Sequence, residues 1–221
     1  MRDSPLLNLG SFDHVSFQGV FGFSHDDESD APAERRQPVW FGPPDNELGI
    51  AVSIARVIAQ SEAGIVAVSH AVAYSTGLTF EFVAEARGLS AREERIIFHE
   101  QHIVDDDELP DGFLRIGVKF AEQRRASNLG GRRMHRQLMT SDATPDDPVL
   151  MPRGGGGGQA SHGRVSLRPG YWLWPLPPLG AFEIACEWPI VGIPLTAVEI
   201  DGSALVEASS RSSTFWQSPP P

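Results

Sequence analysis

The chain has 221 residues, 41% of them apolar and 21% charged, which is enough for one domain with a sizeable core and too apolar for a disordered segment. Its formal net charge of −11 argues against general affinity for nucleic acid or anionic membrane, since both attract positive fields. Cys186 is the only cysteine, so an intramolecular disulfide and a cysteine-built metal site are both excluded.

Charge is unevenly spread along the chain. Residues 1–48 hold nine acids against three arginines, whereas residues 115–136 hold seven bases against Glu122. Residues 1–46 read as an acidic, Pro/Gly-rich, mobile arm, with Val39-Trp40-Phe41 as an anchoring patch. The first seventeen residues carry Arg2 but no apolar core of signal-peptide length. The longest apolar run, Ile65–Tyr74, is broken by Ser69 and His70 and is too short to span a bilayer. A cytoplasmic protein without a membrane span is therefore expected.

From residue 49 the reading turns to strands. Ile50, Ile54, Val57 and Ile58 lie at helical spacing, but the same letters read as a strand over Ile54–Gln60, so helix and strand both stay open at 49–60. Ile65–Tyr74 reads as a strand with Val66, Val68, Val72 and Tyr74 on one face. A turn at Thr76-Gly77 leads into Leu78–Arg87, where Leu78, Phe80, Phe82, Ala84 and Ala86 alternate with polar positions. That period of two places one face in a core and leaves the other wet. Ala91–Glu94 suggests one helical turn, and Ile96-Ile97-Phe98 either a strand or a buried plug. Leu114, Ile116, Val118 and Phe120 alternate again, followed by a turn at Glu122-Gln123 into a short strand over Arg124–Asn128. Residues 129–164 read as a flexible Gly-rich loop, since five glycines at 154–158 and a Pro/Asp-rich stretch leave little to order it. Phe182, Ile184, Cys186 and Trp188 form a half-buried strand, and Thr196, Val198 and Ile200 another. Asp201 precedes an Ala-Leu-Val run and suits the start of a short helix over Ser203–Ser210. Phe215-Trp216 is expected to tuck back before a frayed Pro-rich tail.

The combined pattern W-x-W-P-L-P-P, C-E-W-P, G-I-P and E-I-D (Trp172, Trp174–Pro178, Cys186–Pro189, Gly192–Pro194, Glu199–Asp201) resembles an uncharacterised protein family of actinobacteria, the high-GC Gram-positive bacteria. The similarity extends upstream through Gly112–Leu129 and across the glycine run, covering roughly residues 47–205. That family has no assigned activity. The resemblance implies strands over 49–60 and an actinobacterial origin, and it carries over no catalytic residue.

Motifs that could carry chemistry are weak. Gly154–Gly158 is followed by Gln159-Ala160-Ser161, with no Lys-Ser/Thr and no helix to cradle a phosphate, so a linker is the better reading. His99-Glu100-Gln101-His102 before Asp105-Asp106-Asp107-Glu108 is not the H-E-x-x-H spacing of a zinc helix, and a solvated acidic loop is favoured. Ser69 and His70 are adjacent on a strand, which puts their side chains on opposite faces. His70 then shares its face with apolar residues and reads as a hydrogen-bonded core histidine. Cys186 faces the core as an inert thiol. Trp172 and Trp174 suit either a stacking platform or core packing with their N–H groups bonded at its edge, and core packing is preferred.

These readings give an all-β fold, a two-layer antiparallel β-sandwich of seven to nine strands over residues 47–201. A short C-terminal helix and tail follow over 202–221. The expected function is a non-catalytic protein-interaction or assembly module, with an unidentified protein partner or self-association and no cofactor, metal or catalytic residue assigned. The best partner surface is the basic loop, through Arg124, Arg125, Arg132, Arg133 and Arg136. One alternative is a metal-dependent or hydrolytic enzyme using His99, His102 and nearby carboxylates. Another is a nucleic-acid or phosphate binder through the same loop, which the acidic chain disfavours.

Overall fold

The computed structural model describes residues 37–101, 109–130, 144–154 and 157–216. In chain order its elements are β1 (Glu47–Leu48), β2 (Ile50–Gln60), β3 (Gly64–Ala73), β4 (Leu78–Arg87) and α1 (Ala91–Glu100). Next come β5 (Arg115–Lys119), β6 (Arg125–Ser127), β7 (Val149–Arg153), β8 (Gly158–Ser161), β9 (Arg164–Leu167) and β10 (Gly170–Trp174). The chain closes with β11 (Ala181–Trp188), β12 (Ile193–Asp201), α2 (Ser203–Ser209) and β13 (Ser213–Thr214).

The large sheet runs β2-β3-β4-β10-β7, all antiparallel, and the β8–β9 hairpin joins β4 alongside β10. The strands β9 and β10 keep one register against β4, since Leu167 lies opposite Ala84 and Gly170 opposite Glu81. Between them the Pro169 carbonyl still accepts from the Phe82 amide at 3.0 Å. They form one long strand, interrupted where proline has no N–H to give the ladder.

The smaller sheet runs β12-β11-β5-β6. Its inward residues meet those of the large sheet in one core, where Phe80 packs on Phe182 at 6.4 Å between ring centroids. The protein is therefore an all-β sandwich of two antiparallel sheets with a short C-terminal helix, as the alternation predicts. Thirteen strands are present among the described residues, more than the seven to nine expected. The surplus includes the two-residue pair β1–β13 and the strands β7 and β8.

Asn128 ties the layers together. Its side-chain oxygen accepts from the Ile116 amide at 2.9 Å, and its NH₂ donates to the Leu114 carbonyl and to the Tyr171 hydroxyl, each at 2.9 Å. The residue is buried, and these bonds supply partners for groups that water cannot reach. Burial pushes the Tyr171 hydroxyl up to about 12, against the opposing effect of its bond with Asn128.

The helix α1 is ten residues long, not a single turn. A capping box explains it: the Glu93 amide donates to Ser90 Oγ at 3.3 Å and the Ser90 amide to the Glu93 carboxylate at 2.7 Å. Ile97, in the run expected as a strand or a plug, is a fully buried plug carried on this helix. At the start of α2 the Ser203 amide donates to Asp201 at 2.9 Å, and this bond holds the Asp201 carboxyl below its usual range. No helix among the described residues is long and apolar enough to cross a membrane.

Residues 49–60, open between helix and strand, hold the eleven-residue strand β2. Two expectations need correction. The stretch 129–164, expected as a flexible loop, contains the strands β7 and β8 among its described residues. The strand β8 turns into β9 through His162 and Gly163, both at positive φ (55° and 76°), a conformation that matches hairpin twist and that composition does not reveal.

The second correction concerns β3. Val68 lies opposite Phe82 and His70 opposite Glu81, so Ser69 is an extra residue, a β-bulge. Before it Val66 and Val68 face the core, and after it Ala71 and Ala73 do. Val72 and Tyr74, expected beside Val66 and Val68, therefore face the other way. On β2 the facing residues Ile54 and Ala55 are likewise irregular, and Ala55 has φ of 48°.

Candidate functional site

The bulge at Ser69 changes the fate of the next residue. His70, expected in the core, is exposed on the outer face of the large sheet. The two side chains, expected on opposite faces, meet: Ser69 Oγ lies 2.9 Å from His70 Nδ1. Ser69 Oγ also donates to the Glu81 carbonyl at 3.1 Å. A hydroxyl has one proton, so Ser69 Oγ can donate to the Glu81 carbonyl or to Nδ1 but not to both at once, and the roles of the two ring nitrogens follow the tautomer.

Strand register then sets a row of side chains across this outer face. His70 on β3 is opposite Glu81 on β4, Glu81 is opposite Gly170 on β10, and Gly170 is opposite Arg153 on β7. Together with Val72, Tyr74 and Thr79 they line a groove of about 260 Å³. The floor is open because Gly170 has no side chain. A Cβ there would lie 3.6 Å from a Glu81 carboxylate oxygen and 3.6 Å from Arg153 Cβ. Neither the Glu81 carboxylate nor the Arg153 guanidinium has an ion pair or hydrogen bond among the described residues.

Above this row the outer face becomes apolar. Trp172 is fully buried there with Trp40, Val149 and Met151, flanked by Phe41, Tyr74 and Trp174. Core packing thus accounts for Trp172, and Trp40 is the buried member of the anchoring patch expected over Val39–Phe41. The expectation that its N–H is bonded at the core edge does not hold for Trp172, whose Nε1 is buried without a partner among the described residues, whereas Trp188 on β11 donates to the Gly112 carbonyl at 3.0 Å.

A second surface lies at the β1–β13 ribbon. Glu47 pairs with Thr214 and Leu48 with Ser213, and the Phe215 amide donates to the Asn46 carbonyl at 3.3 Å. Directly opposed residues share a face, so Glu47 is on one side and Leu48 and Phe215 are on the other. The Glu47 carboxylate accepts from the Ser75 amide at 2.5 Å and from its hydroxyl at 2.7 Å, which pins that side to the β3–β4 turn. Leu48 and Phe215 are each about half exposed, and Trp216 is 77% exposed. Asn46 holds the Trp216 backbone at both ends, accepting from its N–H at 2.9 Å and donating to its carbonyl at 2.8 Å. The backbone tucks back as expected, yet the aromatic side chains stay in solvent.

Of the residues expected to form a partner or metal site, Arg124, Arg125 and His99 are among the described residues. Arg124 is ion-paired with Glu122 at 3.0 Å and lies over the Phe120 ring at 5.7 Å. Arg125 begins β6 and is exposed. Arg132, Arg133 and Arg136 lie outside the described residues. His99 is exposed on the last turn of α1, and His102 lies outside the described residues. No group of three or more His, Cys, Asp or Glu that could hold a metal ion occurs among the described residues. Cys186 faces the core, and burial pushes its thiol up to about 12.

Sequence reasoning missed Glu81, Gly170 and Arg153 as a group, because their juxtaposition depends on pairing β4 with β10 and β10 with β7. A signal for His70 was present: two polar residues interrupt the longest apolar run. Comparison with protein-family models, with curated proteins and with solved structures finds no match for this chain.

Proposed function

We propose that this chain is a non-catalytic protein-interaction module whose contact surface is the outward side of the β1–β13 ribbon. The observation that carries the reading is an inverted polarity. The side of the ribbon turned to the domain uses a carboxylate, and the side turned to solvent presents Leu48 and Phe215, with Trp216 beyond. Exposed aromatics on a backbone already held by hydrogen bonds lose little entropy on binding, and tryptophan is enriched among residues that dominate interface energy. The ribbon is preferred to the basic loop as the contact surface because its apolar side chains stand exposed on a held backbone, whereas Arg124, the loop's first arginine, is engaged with Glu122 and Phe120. The cytoplasmic setting and the actinobacterial resemblance belong to the same reading and rest on the sequence pattern alone.

The test is site-specific photo-crosslinking from position 216 in cells that make the protein. One discrete adduct, with another protein or a second copy of this chain, is expected, and it should disappear in the Leu48→Ser/Phe215→Ser double variant. A diffuse smear, or an adduct indifferent to the double variant, would contradict the proposal.

A further inference from the structure

The outer-face groove is independent of the ribbon and has a chemistry of its own. Its acidic and basic ends lie on strands separated by β10, so Glu81 and Arg153 sit two strand spacings apart, roughly 10 Å between backbones. Gly170 leaves the space between them empty, and neither charge is neutralised by another described residue. The acidic end has the Glu81 carboxylate, with the His70 imidazole beside it on β3 as a further polar partner. A primary ammonium carries three donors and matches a pair of acceptors. The basic end has a guanidinium, whose fork matches a carboxylate. Val72 and Tyr74 line the groove on its β3 side and favour small apolar substituents there.

We infer that this groove binds a small zwitterion of the amino-acid or short-peptide class. The ammonium sits against Glu81 and His70, the carboxylate sits against Arg153, and the ligand backbone lies over Gly170. Each piece of the site has an identifiable origin. The bulge at Ser69 turns His70 outward, the register aligns it with Glu81 and Arg153, and the glycine supplies the room.

The experiment is an NMR titration of the full chain with trialanine as the probe. Saturable shifts are expected at the Glu81, Gly170 and Arg153 amides. N-acetyl-trialanine, which lacks the ammonium, and trialanine amide, which lacks the carboxylate, should each bind at least tenfold more weakly. Arg153→Gln removes an exposed side chain and should weaken trialanine tenfold or more while leaving the thermal midpoint unchanged. Gly170→Ala adds a Cβ at ordinary contact distances and should also weaken binding in a folded protein. Equal binding of the capped peptides, or the absence of saturable shifts at these amides with trialanine, would overturn the inference.

Discussion

The strands β3 and β11 are both rich in apolar residues, and both lie within their sheets between two neighbours. In β11 the alternation never breaks. Phe182, Ile184, Cys186 and Trp188 are buried, and Glu183, Ala185 and Glu187 face outward. The outer side of β11 is correspondingly ordinary, with Glu183 near Lys119 at 3.4 Å and Glu187 paired with Arg115 at 2.5 Å. In β3 the alternation resets at Ser69, and the residue after the reset faces a groove whose charges are unpaired. The contrast teaches where to look: an unbroken period builds core, and a break re-aims a side chain.

Single truncations sharpen the comparison. Trp188→Ala on β11 removes a fully buried indole whose N–H is bonded to Gly112, and should cost about 3–5 kcal/mol. Val72→Ala on β3 removes a half-exposed side chain from the outer face and should cost under about 1 kcal/mol by the same measurement. Were the parity of Val66 and Val68 to continue, Val72 would be core, and its truncation would cost about 2 kcal/mol.

Legibility from sequence follows the same division. The alternating strands Leu78–Arg87, Phe113–Phe120 and Phe182–Trp188 were readable because one face of each meets the core and the other meets solvent. The short helix after Asp201 was readable from its cap. The bulge was not, since an extra residue leaves no mark in composition, and the error propagated from Val72 to Tyr74 and His70. Strand β8 was hidden by its opening glycine, which pairs through its backbone whatever its propensity, and β7 by the Pro/Asp-rich stretch before it. The groove was illegible for a further reason: Glu81, Gly170 and Arg153 are distant in sequence, and only the strand order makes them neighbours. The ribbon face was similarly concealed, because Leu48 and Phe215 meet across nearly the whole domain.

The most direct test of the central claim, that the bulge at Ser69 delivers His70 to the outer face, is thiol labelling at three successive positions. Cys186 is sealed in the core and adds no background in the native protein. In the single variants His70→Cys, Ala71→Cys and Val72→Cys, the rate of reaction with an aromatic disulfide reagent is measured under native conditions. The account predicts fast labelling at position 70, protection at 71 and intermediate labelling at 72. Protection at 70 and 72 with fast labelling at 71 would show that the parity of Val66 and Val68 continues unbroken, and would contradict it.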